Sequence, residues 1–411
     1  MDVVELLSRL VEINSVNDPV KGLKPSPECA KFIKDYLASY GIDSDIMVVN
    51  DYYTVHGVIG SGEPVIAMMA HYDTVPFIID EWSYDPLKLT IVNNRGYGRG
   101  TCDDKGNVAA LMIALTNITN YLRKGLGTIV FAFTGDEEVG GVHGAYTWSK
   151  YLRERGLWPK YLVNADAGGI LGLKIVSKRR NIFRVIISIE SSERVIKGIV
   201  RVRRFELKTP ISSTGHAAYF IPGIDHHPFI AASQFLQLNP RTYVSRLSGS
   251  FVKSNVLPKI VELIYVEECS SGSEVVVDDS LTKLVKSIIS LCRLNFSTKI
   301  RSDYGITITP NVYRKEGNKH IIELDIRVMT MDKGLVEESL RDVLKDKLPT
   351  ANLEVISGGG YLYTDQSSKI VQVAMKVLKS LGEETEVVES PAASDSRYFS
   401  PHGVEAIDLG P

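Results

Sequence analysis

Val65-Ile66-Ala67-Met68-Met69-Ala70 runs straight into His71-Tyr72-Asp73-Thr74-Val75-Pro76, and Thr128-Ile129-Val130-Phe131-Ala132-Phe133 into Thr134-Gly135-Asp136-Glu137-Glu138. Both runs are almost wholly apolar, too short for a helix of that hydrophobicity, and end in a polar cluster. Tyr161-Leu162-Val163 ends the same way, in Asn164-Ala165-Asp166. Continuous apolar strands belong to a sheet covered on both faces. A long helical stretch from Gly106 to Arg123 lies between the first two, and Glu28 to Tyr40 spaces apolar residues as a helix that stops at Gly41. The order predicts an α/β fold, a mixed sheet with helices on both faces. In such sheets ligands collect beyond the carboxyl ends of the strands, where the polar clusters fall.

The 411 residues suggest two or three domains at about 150 residues each. From about Lys178 the texture changes. Ile182–Ile189, Ile260–Val266 and Ile321–Val328 alternate as strands with one solvated face, and Phe229–Leu238 and Ser280–Leu291 read as helices. A glycine cluster at Val355–Gly360 marks the return, and Gln366–Leu381 is again helical. The expected organisation is a catalytic domain of residues 1–178 and 355–411, interrupted by an α+β insert at 179–354, with no internal repeat. Arg179, Arg180, Arg201, Arg203 and Arg204 at the start of the insert read as a solvated basic face.

Forty-seven basic against 49 acidic residues leave a net charge of −2, which argues against a nucleic-acid binder. No apolar run approaches the ~18 residues of a membrane span. The N-terminus, with acids at Asp2 and Glu5, reads as an amphipathic helix rather than a signal peptide. Cys29, Cys102, Cys269 and Cys292 are scattered without C-x-x-C spacing, so the expected setting is reducing and cytoplasmic.

The polar clusters carry the chemistry. His71 is a candidate metal ligand, and Asp73, two residues on, can accept its second ring N–H. Gly98-Arg99-Gly100-Thr101-Cys102-Asp103-Asp104-Lys105-Gly106 opens the long helix, but Asp103 stands where a dinucleotide fingerprint needs its last glycine. Glu137 and Glu138 can split roles, one on metal and one as general base. Asp166 offers a further carboxylate. Singly, each cluster reads as a surface or capping feature; together, one His and several carboxylates at strand exits of one sheet make a metal site. Ligation without thiolates suits zinc, cobalt or manganese.

The set HYD at 71–73, GRGTCDD at 98–104, TGDEE at 134–138 and NAD at 164–166 resembles the co-catalytic zinc aminoacylase and carboxypeptidase family. Acetylornithine deacetylase, succinyl-diaminopimelate desuccinylase and glutamate carboxypeptidases belong to it. The resemblance implies that His71 and Asp166 bind one metal, Asp103 bridges, Glu138 binds the second metal, Glu137 is the general base and Asp73 orients His71. It makes the insert a lid and dimerisation domain. There, Thr214-Gly215-His216-Ala217-Ala218-Tyr219 resembles a lid motif whose His stabilises the oxyanion in the partner subunit's site. Asn255 and Arg327 resemble substrate contacts, whereas His226 and His227 read as structural.

The resemblance further implies a homodimeric amidohydrolase with one or two Zn2+ per chain (or Co2+ or Mn2+). It would cleave an N-acyl amino acid in amino-acid biosynthesis, as a deacetylase or desuccinylase. The metals would polarise the scissile carbonyl and acidify a water, from which Glu137 takes a proton before protonating the leaving amine. The alternatives are a di- or tripeptidase or carboxypeptidase of the same family, and a non-catalytic amino-acid-binding relative. Asp408-Leu409-Gly410-Pro411 resembles the family's last strand and loop, beyond which the second metal's His would lie. His402 falls too early for that role. Either the chain continues past Pro411 or the second metal has fewer protein ligands.

Overall fold

A computed structural model describes residues 1–122, 127–167, 173–211 and 215–410. The chain forms two compact units, residues 1–179 with 361–411, and residues 180–360.

The first unit is built on a nine-stranded mixed sheet. Its order is 45–49, 52–61, 127–134, 65–71, 161–164, 405–410, 174–179 and 362–363, and 387–390 pairs with 174–179. The strands 127–134, 65–71, 161–164 and 405–410 run parallel at its centre. Their apolar runs are continuous because both faces are covered. Ile129, Phe131 and Phe133 pack with Leu6, Leu10, Ile33 and Met112, from the helices Val3–Glu12, Pro27–Ser39 and Lys105–Leu122. Val130 and Ala132, the alternate residues, pack with Trp148 and Leu152 of the helix Ala145–Glu154. A further helix, Lys369–Ser380, places Val371 and Leu378 against Ile175 and Ile407.

Alternation down one strand thus feeds two separate cores, and burying side chains of this size contributes roughly 1.5–3 kcal/mol each. The strand ends Val65–His71, Gly127–Thr134 and Tyr161–Asn164 deliver the polar clusters to one edge of this packed layer.

The second unit is α+β and holds two four-stranded antiparallel sheets. One has the order 307–316, 319–328, 181–190, 352–357; the other 242–249, 260–268, 193–206, 273–278. Strand 352–357 pairs with 181–190, so the insert runs on to Gly360 rather than ending at 354. Both sheets carry the same strand order relative to the chain. The second, with its helix Pro228–Leu238, sits in sequence between the first strand and first helix of the other. Topology therefore repeats although the sequence shows no repeat, because strand order needs only matching patterns of burial. A single core containing Phe183, Val185, Leu263, Tyr265, Leu284 and Leu324 joins the two sheets.

The strand Lys319–Val328, expected to have a solvated face, is buried almost throughout. Its polar residues are satisfied inside: Glu323 by Arg184 and Arg314, His320 by Asp278 at 2.7 Å and Asp325 by Arg327. Alternation here separates paired polar groups from apolar ones.

Candidate active site

Asp73, fully buried just past the strand Val65–His71, organises the first cluster. His71 Nδ1 bonds the Asp73 carbonyl at 3.2 Å and lies 3.3 Å from its Oδ1, which accepts the Glu137 N–H at 3.1 Å; Oδ2 accepts the Glu138 N–H at 3.2 Å. Asp73 thus fixes the imidazole, through its carbonyl and its carboxylate, and the turn Glu137–Val139 through its carboxylate. The other ring nitrogen of His71, Nε2, lies 2.9 Å from Asp103 Oδ1, and the His71 N–H donates to Asp104 at 3.0 Å. Asp104 accepts in turn from Asn107 Nδ2 at 2.6 Å, so the two consecutive acids divide the work. Asp104 is buried, while the Asp103 side chain is 63 % exposed. The peptide that joins them is cis.

Donor atoms of His71, Asp103 and Asp166 all lie within 4.8 Å of one another. One imidazole with two carboxylates fits a divalent cation of the zinc, cobalt or manganese kind, and Asp73 behind Nδ1 leaves Nε2 for the cation. Glu138 stands on the neighbouring turn and is not part of this three-residue group.

Charges confirm how crowded the site is. Burial pushes the Glu138 carboxyl up to about 9, with Asp103 and Glu137 adding repulsion against the pull of His71. Burial likewise raises Glu137, despite His71 and Arg397, and lifts Asp166 well above the carboxylate range against the pull of Arg179. Asp136 is pushed up to about 7 by burial and by Asp73. Burial pulls His71 down, but its bonds to Asp103 and Asp73 outweigh that and hold it well above its ordinary value. Negative charge is in excess here, which a bound cation would relieve.

In the insert, His216, Asn255 and Arg327 come together, while Thr214 lies outside the described residues. His216 Nδ1 accepts the Ala218 N–H at 3.0 Å, and the Asn255 amide is 3.2 Å from Nε2. Burial, then Arg327, depress the imidazole to about 4. Arg327 is buried and forks onto Asp325, at 2.9 Å from Nε and 3.2 Å from Nη2. His227 caps the helix Pro228–Leu238 and bonds Asn311, a structural role. His402 sits in a short turn beside Trp158.

Two arginines expected on a solvated face are instead buried. Arg179 donates to Asp408, to the Asp166 carbonyl at 2.6 Å and to the Ala392 carbonyl at 3.1 Å. Arg180 bonds Ala218 and Thr307 within the insert. Arg201, Arg203 and Arg204 are exposed, as expected. Asp104 and Arg179 are the supporting residues that motif spacing does not single out. The pairing of Asp103 with a second acid is the available signal for Asp104. Nothing local marks Arg179, whose partners are 13 to 229 residues away.

The metal-free protein should be sensitive to pH. Glu138, Asp136 and Asp166 keep protons in the folded chain at pH values where the unfolded chain has lost them, so stability falls as pH rises. The depressed His56, His216 and His227 oppose this only below about 6.5, and Lys105, lowered by burial to about 8, only above that. The thermal midpoint of the metal-free chain should therefore fall between about pH 6.5 and 8, and saturating divalent cation should abolish the fall. A midpoint that rises over this interval without metal would contradict the proton-holding acids.

Comparison with known proteins places the chain in a family. A probable succinyl-diaminopimelate desuccinylase of Staphylococcus aureus (strain MRSA252) is 34 % identical over 414 residues, covering 99 % of this chain and 88 % of that protein. The succinyl-diaminopimelate desuccinylase of Pseudoalteromonas atlantica is 24 % identical over 416 residues, covering 100 % and 90 %. The crystal structure of aminoacylhistidine dipeptidase from Vibrio alginolyticus superposes with a TM-score of 0.68 at 15 % identity, over 100 % of this chain and 90 % of that one, a likeness of fold. Residues 67–411 match Peptidase family M20/M25/M40, a span that holds all four clusters. The chain belongs to Peptidase family M20/M25/M40, and it is a hydrolase of amide bonds.

Proposed function

We propose that this chain is a zinc-dependent amidohydrolase that removes an acetyl or succinyl group from an N-acyl amino acid, with Glu137 as general base. The observation that carries the reading is the convergence of His71, Asp103 and Asp166 within 4.8 Å, next to a turn that Asp73 pins in place. Those three residues, with Glu138, would hold one or two zinc ions; cobalt and manganese accept the same donors. The ion supplies a Lewis acid for the scissile carbonyl and lowers the pKa of water.

Glu137 sits on the pinned turn with its carboxyl raised by burial, which suits a group that must take a proton and give it back. It removes the proton of the attacking water and passes it to the departing amine nitrogen. Asp73 holds His71 and the turn in register meanwhile. His216 is held below the ordinary imidazole range, its Nδ1 accepts from Ala218, and its Nε2 meets the Asn255 amide. With Asn255, the imidazole is proposed to stabilise the tetrahedral oxyanion in the partner subunit's site. Asn255 and Arg327, gathered with it, are proposed to contact the substrate. The desuccinylase names of the relatives support succinyl as the first acyl group to try.

Homodimerisation through the insert belongs to the same reading. Residues 199–206 pair with the strand Ile260–Glu268 on one side, while only 193–198 pair with Ser273–Asp278 on the other. Among the described residues that edge is open, and it exposes Ile199, Val200 and Val202, an arrangement that favours association. A cytoplasmic setting is supported by four free cysteines. Among the described residues no helix is long and apolar enough to cross a membrane.

Glu137→Gln should lower kcat on N-succinyl or N-acetyl amino acids by about 10²–10⁴-fold with zinc content unchanged. Steady-state kinetics beside elemental analysis decides the matter. Turnover retained in the variant removes Glu137 from the mechanism, and hydrolysis of dipeptides alone overturns the deacylase assignment. Sedimentation at a single-chain mass in the active protein would contradict the dimer.

A further inference from the structure

We infer that Asn17, in the loop after the first helix, is a positioning residue of the metal site, acting through Asp73. The inference rests on the metal-site reading above. Asn17 precedes the family-matched span of residues 67–411, and no motif marks it. It is buried, and its Nδ2 donates to Asp73 Oδ2 at 2.9 Å. Its Oδ1 accepts from the Tyr52 hydroxyl at 3.2 Å.

The amide orientation is dictated by chemistry. Both Asp73 oxygens already accept backbone N–H groups, so the NH2 faces Asp73 and the oxygen faces Tyr52. Tyr52 is itself held, stacked on His143 with ring centroids 5.2 Å apart and planes at 11°. The Asn17 backbone is fixed to the very segment that carries Asp73. Its N–H donates to the Thr74 carbonyl at 2.9 Å, Thr74 donates back to Ser15 at 3.0 Å, and the Ser15 hydroxyl bonds the Tyr72 carbonyl at 2.6 Å.

Asp73 has two jobs for Oδ1, His71 and the Glu137 N–H, and these require one rotation of the carboxylate about its Cβ–Cγ bond. The Asn17 donor on Oδ2, opposite, holds that rotation together with the longer bond from the Glu138 N–H. Removing it leaves Oδ2 with the longer Glu138 bond alone, and the common anchor of the imidazole and the Glu137–Glu138 turn is loosened. Replacing the amide by a carboxylate is worse, because two anions then face each other in a buried place.

The test is Co2+ titration of the metal-stripped full chain, monitored by visible absorption, for wild type, Asn17→Ala, Asn17→Asp and Tyr52→Phe. The thermal midpoint of each metal-free protein is measured alongside. The expected result is a Co2+ Kd raised about 10–100-fold in both Asn17 variants, with a changed cobalt band. Tyr52→Phe, which deletes one oxygen and leaves the amide in place, should shift both readouts in the same direction by less. Should an Asn17 variant fail to fold, Tyr52→Phe decides. Wild-type Kd and band in the folded variants, whatever their thermal midpoints, overturn the inference by reducing Asn17 to a structural contact. A wild-type chain that takes up no Co2+ overturns instead the metal-site reading on which it stands.

Discussion

A buried carboxylate is costly, several kcal/mol for the ion alone, and Asp73 is such a group. It is tolerated because the chain surrounds it with donors: the backbone N–H groups of Glu137 and Glu138, the Asn17 amide and the imidazole of His71. These come from separate places in the sequence, so the bonds that satisfy Asp73 also bring the strand exits into register. The sheet supplies the platform, and this one anion converts neighbouring loops into a site. Everything proposed about catalysis inherits its geometry from that constraint.

The same economy of buried charge recurs elsewhere in the chain. Arg179 ends the strand Lys174–Arg179, lies at the last position before the insert and donates to Asp408 and to the backbone of Asp166. In the insert, Arg327 forks onto Asp325, and His320 meets Asp278. Pairing of this kind favours a single arrangement, since each group has few alternative partners. In contrast, the acids at the catalytic cluster are left in excess, and their protons are held by burial rather than by bonds. A site that is unsettled without a cation is what a binding site for one looks like.

Much of this is legible in sequence, for a definite reason. Val65–Ala70, Thr128–Phe133 and Tyr161–Val163 read as strands because both-face burial leaves a continuous apolar run, and the observed strands differ by one residue at most at each end. The ligand candidates stand out because they are the first polar residues after those runs. Three features are out of reach. Arg179 and Arg180 look like a basic surface until partners 13 to 229 residues away are known. The strand Lys319–Val328 alternates in polarity, which a single-sequence reading takes for solvent exposure when its polar side chains are buried against polar partners. Asn17 is an ordinary loop residue by composition, and only the pairing of its loop with residues 72–74 reveals what it faces.

The central claim is that one buried carboxylate assembles a metal-binding hydrolase site, and zinc content of Asp73→Asn beside wild type tests it most directly. The substitution keeps size and shape while removing the charge. Elemental analysis after dialysis against trace zinc should find zinc retained by wild type and largely lost from the folded variant. A wild-type chain without zinc, or a variant that keeps its full complement, would contradict the account.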